Sequence, residues 1–316
     1  MIVATSGSAD EPLALRELPS RPLKAGDVRI RVRAIGVNPV DWKMRSGGPL
    51  RFAHRFVGPS GPLVVGVDFA GEVSEVGSAG SDLAIGARVV GGTNFSRKQL
   101  GSYADEVVVR PDQCALLPDA VDFEQAACLP VAAVTPWISL TEHTKIGPGS
   151  RVLVLGASGG VGLMALALTK KLGAVAVGVC SGRNVATVQA LGATAVDYTM
   201  GDALEAARQH GPFDLVMHAV GSDLYPLAGC RSLCAPKGIV DLAVVRLADI
   251  FSILFSRKIR TVLGEVTRAR LEPLVDALAK GELQPIIQER IPLAEAERAH
   301  TLSKAGKVVG KLLLIP

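Results

Sequence analysis

The chain has few aromatic residues, few cysteines and no long apolar run. Aromatic residues make up 4% of its 316 residues, and five cysteines are spread along it: Cys114, Cys128, Cys180, Cys230 and Cys234. An odd number of scattered cysteines does not fit the disulfide framework of a small secreted domain. No window reaches the roughly 18 apolar residues of a membrane span, and the N-terminus lacks the basic and apolar regions of a signal peptide. These absences predict a cytoplasmic protein with reduced thiols and no membrane span.

Positive charge is not concentrated in one segment. The 34 Lys and Arg residues exceed the 30 Asp and Glu residues by four, and they are scattered. A nucleic-acid backbone needs a basic stripe or patch, so no nucleic-acid partner is expected, whereas a small anionic ligand remains compatible. With 48% hydrophobic residues the chain should be globular, and its length favours two domains, because single cores stop growing near roughly 250 residues.

The first 120 or so residues have the pattern of a β-rich unit. Apolar positions alternate with arginines over residues 28–37, which predicts a strand with one solvated face. Chain breaks are expected at Asn38-Pro39 and at 46–48. Further short strands are predicted at 64–67, 71–76, 88–91 and 106–109.

After Pro118 the pattern changes to alternating strands and helices. Residues 152–155 form an apolar run, which suits a strand buried on both faces of a parallel sheet. The predicted helices are 122–132, 135–142, 160–172 and 185–191, and the further strands are 175–180, 214–218 and 238–242. This alternation predicts a doubly wound α/β domain. The tail has the pattern of a helix from 271, an extended stretch at 284–291, a helix at 293–302 and a strand at 311–315.

A glycine-rich turn follows the apolar strand directly. It spans residues 156–162 (GASGGVG) and opens the helix at 160–172. Glycine lets the chain turn sharply and lets a pyrophosphate approach the backbone, while the helix N-terminus supplies N–H donors. An ordinary strand-to-helix turn would explain the glycines alone. Their position within a β-α-β unit favours a dinucleotide site.

The acidic residue that usually accepts a hydrogen bond from the NAD ribose is missing from its expected place. No Asp or Glu lies between Gly162 and Asp197. At the end of the second strand the sequence instead has Ser181 and Arg183, whose hydroxyl and guanidinium suit a 2′-phosphate. Arg183 alone could equally be a solvated residue at a helix start. Together the two features predict NADPH rather than NADH.

Five sequence blocks together resemble the zinc-independent quinone oxidoreductases of the medium-chain dehydrogenase/reductase superfamily, in particular the chloroplast-envelope branch. They are 36–43 (GVNPVDWK), 66–73 (GVDFAGEV), 129–131 (LPV) with Thr135, 156–162, and Gly310-Lys311. The resemblance implies a GroES-like catalytic domain (1–122 and 265–316), a Rossmann NADPH-binding domain (123–264), and an active site in the cleft. A homodimer and a small-molecule substrate are expected.

The resemblance also implies particular cofactor contacts. Ser181, Arg183 and Tyr198 correspond to the contacts of the 2′-phosphate. The other expected contacts are Thr135 beside the nicotinamide, the turn residues Gly156, Ser158, Gly159, Gly160, Val161 and Gly162, the ribose-lining Ala219, Val220 and Gly221, and Lys311 closing over the cofactor. Two departures stand out, because His218 replaces an acid that many relatives carry and Lys307 duplicates a Gly-Lys pair.

Zinc ligands are absent from the places where zinc-dependent relatives carry them. Those stretches are Pro39-Val40-Asp41 and Val67-Asp68-Phe69, which hold neither Cys nor His. Catalytic zinc needs three such protein ligands, so no metal is expected. Cys230 and Cys234 could share a helix face, but two thiols do not make a zinc site, and core packing is the better interpretation for them and for the isolated histidines.

The candidate catalytic residues lie in the segment that follows the first long predicted strand. Asn38, Asp41 and Lys43 follow a strand that should face the cleft, and Lys43 is the first candidate to polarise a substrate carbonyl, with a solvated surface lysine as the alternative. Trp42 and Tyr103 are candidates to line the pocket.

Other enzyme classes fit the sequence less well. No Tyr is followed four residues later by Lys, which disfavours a short-chain dehydrogenase, and Gly162 is followed by Leu163, which excludes a P-loop. The expected reaction is hydride transfer to a quinone or enone. An enoyl or alkenal reductase, or a non-catalytic NADPH-binding protein, remains an alternative.

Overall fold

The computed structural model describes residues 1–6, 11–46, 49–262 and 264–316. The strands of these residues are β1 (Ile2–Ser6), β2 (Ala14–Glu17), β3 (Val28–Gly36), β4 (Leu63–Val64), β5 (Asp68–Val76), β6 (Arg88–Gly92), β7 (Glu106–Val109), β8 (Cys114–Leu116), β9 (Arg151–Leu155), β10 (Val175–Cys180), β11 (Thr194–Asp197), β12 (Phe213–His218), β13 (Cys234–Leu242), β14 (Ile259–Thr261), β15 (Ile287–Pro292) and β16 (Lys311–Ile315).

Most of the helices are short. They are α1 (Pro39–Arg45), α2 (Pro49–Val57), α3 (Phe123–Ala126), α4 (Pro130–Trp137), α5 (Gly160–Lys171), α6 (Val185–Ala190), α7 (Ala203–Arg208), α8 (Leu227–Ser232), α9 (Ile250–Phe255), α10 (Arg268–Ala279) and α11 (Ala296–Lys304). A π-helix, Ile138–His143, continues α4. Short 3₁₀ segments lie at Phe95–Arg97, Pro111–Gln113, Gly182–Asn184, Tyr198–Met200, Leu247–Asp249 and Leu293–Glu295.

The chain divides into two compact units. Unit 1 comprises residues 1–131 and 265–316, and unit 2 comprises residues 132–264. In unit 1 the main sheet has the order β15-β16-β3-β5-β6-β8, with β7 also paired to β3, and a smaller sheet has the order β2-β1-β4. The C-terminal strand β16 pairs antiparallel with β3 through Leu313 and Gly36, so both ends of the chain build this unit.

Unit 2 is built on a parallel sheet. Among the described residues its strand order is β11-β10-β9-β12-β13-β14, and every neighbouring pair is parallel. Numbered within the unit, this is the order 3-2-1-4-5-6 of a dinucleotide-binding fold, in which ligands bind at the carboxyl ends of the strands where the order reverses. That position lies between β9 and β12. The predicted fold class, a β-rich unit plus a doubly wound α/β unit, is confirmed.

Several predicted element boundaries are wrong for identifiable reasons. Asn38-Pro39 is not a chain break but the start of α1, because proline suits the first helical position, where no backbone N–H donor is needed. The strand predicted at 64–67 ends at Val64. Strand β13 begins at Cys234, four residues before the predicted start at Gly238. Within the described ranges no helix is both long and apolar enough to cross a membrane.

Candidate functional site

The turn at residues 156–162, here called the phosphate turn, follows β9 and leads into α5. Gly156 has φ = +85°, a left-handed conformation that favours glycine. A Cβ atom on Gly162 would lie 2.2 Å from the carbonyl oxygen of Gly156, so only glycine allows α5 to approach the turn this closely. These two glycines are required by the backbone itself.

Gly159 has a different surrounding from the other two glycines. A Cβ atom on Gly159 would have one neighbour within 4 Å, the carbonyl oxygen of Gly156 at 3.6 Å. The space beside Gly159 is therefore open to a ligand. Ser158, Gly160 and Val161 are partly exposed beside it. The twelve-residue helix α5 begins here and points its free N–H groups and positive dipole end at this opening. The phosphate turn therefore fits a pyrophosphate, as the predicted dinucleotide site requires.

The loop after β12 lies against the phosphate turn. A Cβ atom on Gly156 would lie 2.7 Å from Val220 Cγ1 and 3.7 Å from the carbonyl carbon of Ala219. The predicted ribose-lining residues Ala219, Val220 and Gly221 are all partly exposed. The structure thus brings these residues to the carboxyl edge of the sheet beside the turn, where the strand order reverses.

The predicted 2′-phosphate contacts follow the two neighbouring strands. Ser181 comes directly after β10, Arg183 is exposed in the short helix that follows, and Tyr198 is half exposed after β11. The hydroxyl of Ser181 accepts a hydrogen bond from Asn184 Nδ2 at 3.2 Å. Thr135 is partly buried in α4, within the same unit.

The sequence did not reveal that Asp197 reaches this position. Strands β10 and β11 pair with Cys180 opposite Asp197. A Cβ atom on Gly182 would lie 2.5 Å from Asp197 Oδ2, so the carboxylate stands beside the Ser181–Arg183 segment. No acid occurs between Gly162 and Asp197 in sequence, but strand pairing brings Asp197 itself beside the predicted 2′-phosphate contacts. Only the pairing register could have shown this.

Unit 1 contains a group of buried polar side chains, here called the buried charge cluster: Asn38, Asp41, Asp68, Tyr103, His300 and Lys311. Lys311 Nζ donates to Asn38 Oδ1 at 2.6 Å, to Val37 O at 2.9 Å and to Asp68 Oδ2 at 3.1 Å. An ammonium group has three N–H donors, so all of them are used. Lys311, predicted to close over the cofactor, is instead bound inside unit 1 in this structure, whereas Lys307 of the duplicate pair is exposed.

Asp41 belongs to the same cluster. It is the third residue of α1, and its Oδ2 accepts from Asn38 N at 2.7 Å and from Tyr103 Oη at 3.2 Å. The Asn38 side chain does not cap α1, because its oxygen accepts from Lys311. Burial raises the pKa of Asp41 to about 7, against the lowering effect of the Asn38 N–H. Asn38 and Asp41 are thus fully buried parts of the α1 start.

Tyr103 and His300 extend the cluster towards the C-terminal helix α11. His300 Nε2 lies 3.2 Å from Tyr103 Oη, and its Nδ1 lies 3.5 Å from Arg45 Nη1. Because arginine only donates, Nδ1 is the acceptor and Nε2 carries the proton. Burial lowers the pKa of His300 to about 4. Tyr103 is fully buried, so it does not line an open pocket, and His300 carried no sequence signal beyond being a lone histidine.

Lys43 is the most accessible of the three predicted catalytic residues. It is partly buried in α1, and its Nζ lies 5.5 Å from the centre of the Trp42 ring. Burial lowers its pKa. The Trp42 indole donates to Ser303 Oγ at 3.2 Å, which fixes the ring beside Lys43.

The cysteines and histidines do not form a metal-binding cluster in the described part of the chain, where no group of three or more His, Cys, Asp or Glu residues could hold an ion. The spacing of Cys230 and Cys234 suggested that they could share a helix face, but they do not, because Cys230 lies in α8 and Cys234 begins β13. Burial raises the pKa of Cys230 to about 12 and that of Cys234 to about 11. Both are poor thiolate donors.

A β-rich unit built from both chain ends, together with a parallel-sheet unit carrying this turn, defines the NAD(P)-dependent dehydrogenase class. The family pattern "Alcohol dehydrogenase GroES-like domain" matches residues 24–119, and "Zinc-binding dehydrogenase" matches residues 191–314. A zinc-type alcohol dehydrogenase-like protein of Schizosaccharomyces pombe is 34% identical over 303 residues, covering 91% of this chain and 86% of the relative.

Two further similarities define the family more closely. A chloroplast envelope quinone oxidoreductase homolog of Arabidopsis thaliana is 29% identical, covering 95% of this chain and 93% of the relative. The Escherichia coli quinone oxidoreductase complexed with NADPH has a TM-score of 0.81 at 26% identity, covering 100% of this chain and 99% of that one. The chain belongs to the quinone oxidoreductase family of the medium-chain dehydrogenase/reductase superfamily, and it is therefore an oxidoreductase.

Proposed function

We propose that this protein is a zinc-independent, NADPH-dependent oxidoreductase that transfers a hydride to a quinone or a related α,β-unsaturated carbonyl compound. The observation that carries the proposal is the phosphate turn, which is open at Gly159 and lies where the strand order of the parallel sheet reverses. The family relationship to quinone oxidoreductases supports the substrate class.

The residues of unit 2 fit the proposed cofactor. The phosphate turn would hold the pyrophosphate, Ala219, Val220 and Gly221 the nicotinamide ribose, and Thr135 the nicotinamide edge. Ser181, Arg183 and Tyr198 would hold the 2′-phosphate, with Arg183 as the cationic donor. When bound, NADPH supplies a hydride from C4 of its nicotinamide ring.

We assign different roles to the three candidate catalytic residues of unit 1. Lys43 is the donor that polarises the substrate carbonyl, because it is partly exposed and its ammonium would stabilise developing enolate charge. Asn38 and Asp41 act as positioning residues, since their hydrogen bonds fix the first turn of α1. Lys43 lies in the next turn of the same helix. Lys311 holds Asn38 and Asp68 in place, and we retain cofactor contact by Lys311 only as a secondary proposal.

Oxidation of NADPH by the purified protein tests the proposal. Initial rates would be measured against simple quinones, alkenals and long-chain enones, before and after exhaustive dialysis against a chelator, with elemental analysis. We expect turnover with at least one quinone or enone, unchanged after chelation, and substoichiometric zinc. Turnover with alkenals alone would favour the double-bond reductase. Tight NADPH binding without any turnover would favour a non-catalytic role, and chelator-sensitive activity with one zinc per chain would refute zinc independence.

We also propose a homodimer that forms through unit 2. Strand β14 lies at the end of the described sheet, so one of its edges is available for pairing. Beside it, α9 and the preceding segment expose Leu247, Phe251, Leu254 and Phe255. A sheet edge next to exposed apolar side chains suits a second copy of the same chain.

Sedimentation of Phe251→Glu/Leu254→Glu tests this dimer. We expect a dimeric wild type and a monomeric variant, whereas Met200→Glu should remain dimeric, because Met200 is an exposed residue that follows β11, at the opposite end of the sheet from β14. A monomeric wild type, or a variant that stays dimeric, would refute the proposed interface.

A further inference from the structure

His218 ends β12 and immediately precedes the loop that carries the proposed ribose contacts. The side chain is fully buried. Its Nδ1 lies 2.6 Å from Val220 O, and its Nε2 lies 3.0 Å from Tyr225 O. One ring therefore contacts the backbone of this loop at two points, one near its beginning and one near its end.

The two contacts indicate which nitrogens of the His218 ring carry hydrogen. A backbone carbonyl oxygen can only accept a hydrogen bond, so each ring nitrogen must donate for its contact to be favourable. A neutral imidazole has a single N–H group and would leave one nitrogen lone pair facing a carbonyl oxygen. Both contacts are hydrogen bonds only if the ring carries two protons and a positive charge.

The groups around His218 are few. From the loop, Asp223 interacts electrostatically with the ring and is ion-paired with Arg246 at 2.6 Å. The Tyr225 ring lies edge-on to the imidazole, with 6.2 Å between the ring centres. From α8, the Cys230 thiol lies 3.8 Å from the same Tyr225 carbonyl oxygen. From β9 and β13, backbone and apolar residues flank it, including Leu155 and Leu242. Asp223 is thus the only anionic side chain among these neighbours, and Arg246 is its cationic partner.

The effect of the ring on the loop extends to the phosphate turn. His218 fixes the carbonyl of Val220, and the Val220 side chain is the nearest neighbour of a Cβ built on Gly156. A change in the Val220 backbone would therefore move a side chain that contacts the turn. A carboxylate at this position could not donate to either carbonyl.

We propose that His218 is a positioning residue whose doubly protonated ring holds the 219–225 loop in the shape that receives the nicotinamide ribose. The inference rests on the proposed function, because it presupposes NADPH binding to unit 2. Loss of either contact should loosen the loop. Affinity for NADPH should therefore fall in a variant whose side chain cannot reach both carbonyls.

The decisive variant is His218→Asn, which retains one donor near the Nδ1 position but cannot reach both carbonyls. NADPH affinity would be measured by calorimetry at pH 6 for wild type, His218→Asn and the control His210→Asn. The fragment 2′,5′-ADP, which lacks the nicotinamide half, serves as the matched ligand. We expect His218→Asn to bind NADPH about ten-fold more weakly, with 2′,5′-ADP affinity within two-fold of wild type.

The outcomes separate this inference from the proposed function. If wild type binds neither NADPH nor 2′,5′-ADP, the proposed function fails. If wild type binds both and His218→Asn matches it for NADPH, only the role of His218 is refuted. Should His218→Asn fail to fold, ¹⁵N NMR of the wild-type imidazole decides. Two protonated ring nitrogens in the NADPH-bound protein at pH 6 support the inference, and a neutral ring overturns it.

Discussion

The phosphate turn of unit 2 and the buried charge cluster of unit 1 differ in what their polar groups still offer to a ligand. The turn leaves Gly159 open and the N–H groups of α5 directed outwards. In the cluster, Lys311 has used all three ammonium hydrogens, and Asp41 Oδ2 already accepts two hydrogen bonds. Exposed donors that face an open side mark a binding site, whereas a buried ammonium group whose donors are all used marks a structural support.

The strongest test of this comparison removes the cation of the buried charge cluster. Lys311→Met leaves the fully buried Asp68 without its ion pair, so the free energy of unfolding should fall by about 3–5 kcal/mol. Urea denaturation measures the loss. The exposed Lys307→Met should change stability by less than about 0.5 kcal/mol. Adding Asp68→Asn to Lys311→Met should restore part of the loss. A fully stable Lys311→Met would show that the cluster is not a support.

The pH dependence of stability probes the same cluster through Asp41. Because the pKa of Asp41 is raised to about 7 in the folded protein and lies near 4 in an unfolded chain, the folded state holds a proton that the unfolded state has lost. Its contribution is present below about pH 4 and is lost as pH rises towards 7. The stability of wild type relative to Asp41→Asn should therefore fall by about 3–4 kcal/mol from pH 4 to 8.

The comparison with Asp41→Asn at each pH is needed because His300 titrates with the opposite sign. Its pKa is lowered to about 4, so its contribution to stability is lost as pH falls from about 6.5 to 4. Denaturation curves of both proteins, measured in parallel, cancel that contribution. A constant difference across the range would show that Asp41 stays ionised in the folded protein.

Among the polar residues of unit 1 discussed above, Lys43 is the one to which we assign contact with the substrate. If it polarises the carbonyl, Lys43→Ala should lower kcat on the order of 100-fold while the NADPH Kd stays within about two-fold. Lys304→Ala is the matched control, since Lys304 Nζ lies 6.0 Å from the same Trp42 ring. Steady-state kinetics and cofactor titration give both values. Unchanged turnover of Lys43→Ala on every active substrate would return Lys43 to a solvated surface role.

In unit 2 the corresponding test concerns Arg183. Losing a charge-assisted hydrogen bond to the 2′-phosphate should weaken NADPH binding of Arg183→Ala by roughly ten-fold to a hundred-fold, with NADH nearly unaffected. Tyr198 softens the loss if it shares the phosphate. Arg208→Ala, another exposed arginine of unit 2, should bind both cofactors normally. Equal losses for NADPH and NADH would show that Arg183 does not contact the phosphate.

The same difference between the units explains what the sequence could predict. The phosphate turn is contiguous in sequence, so its glycines, the buried strand before it and the helix after it are visible together within residues 151–171. Lys311 and Asp68 are 243 positions apart, and no local pattern indicates that they meet. Asn38-Pro39 shows a subtler failure, since the same dipeptide can end an extended segment or begin a helix, and the buried contacts of Asp41 decide between them.

The smallest effect is expected at Asp197. Its carboxylate lies where we propose that the 2′-phosphate, another anion, binds. Its Oδ1 accepts from Thr199 N at 2.9 Å and from Thr199 Oγ1 at 2.7 Å, and its Oδ2 faces Gly182. Asn can preserve the Oδ1 contacts while removing the charge. If the 2′-phosphate lies beside Ser181 and Arg183, Asp197→Asn should tighten NADPH binding by about two- to five-fold, and added salt should reduce the gain.

The control for Asp197→Asn is Asp202→Asn, which alters another capping aspartate of unit 2, the one that accepts from Leu204 N and Glu205 N at the start of α7. Its effect on cofactor affinity should be negligible. Titration of NADPH and NADH into all three proteins gives the answer. A carboxylate that accepts a hydrogen bond from a free ribose 2′-hydroxyl would produce the reverse pattern, with a wild type that prefers NADH and an Asp197→Asn variant that loses that preference. That result would overturn the proposed NADPH specificity, because the residue beside Arg183 would then select against the phosphate.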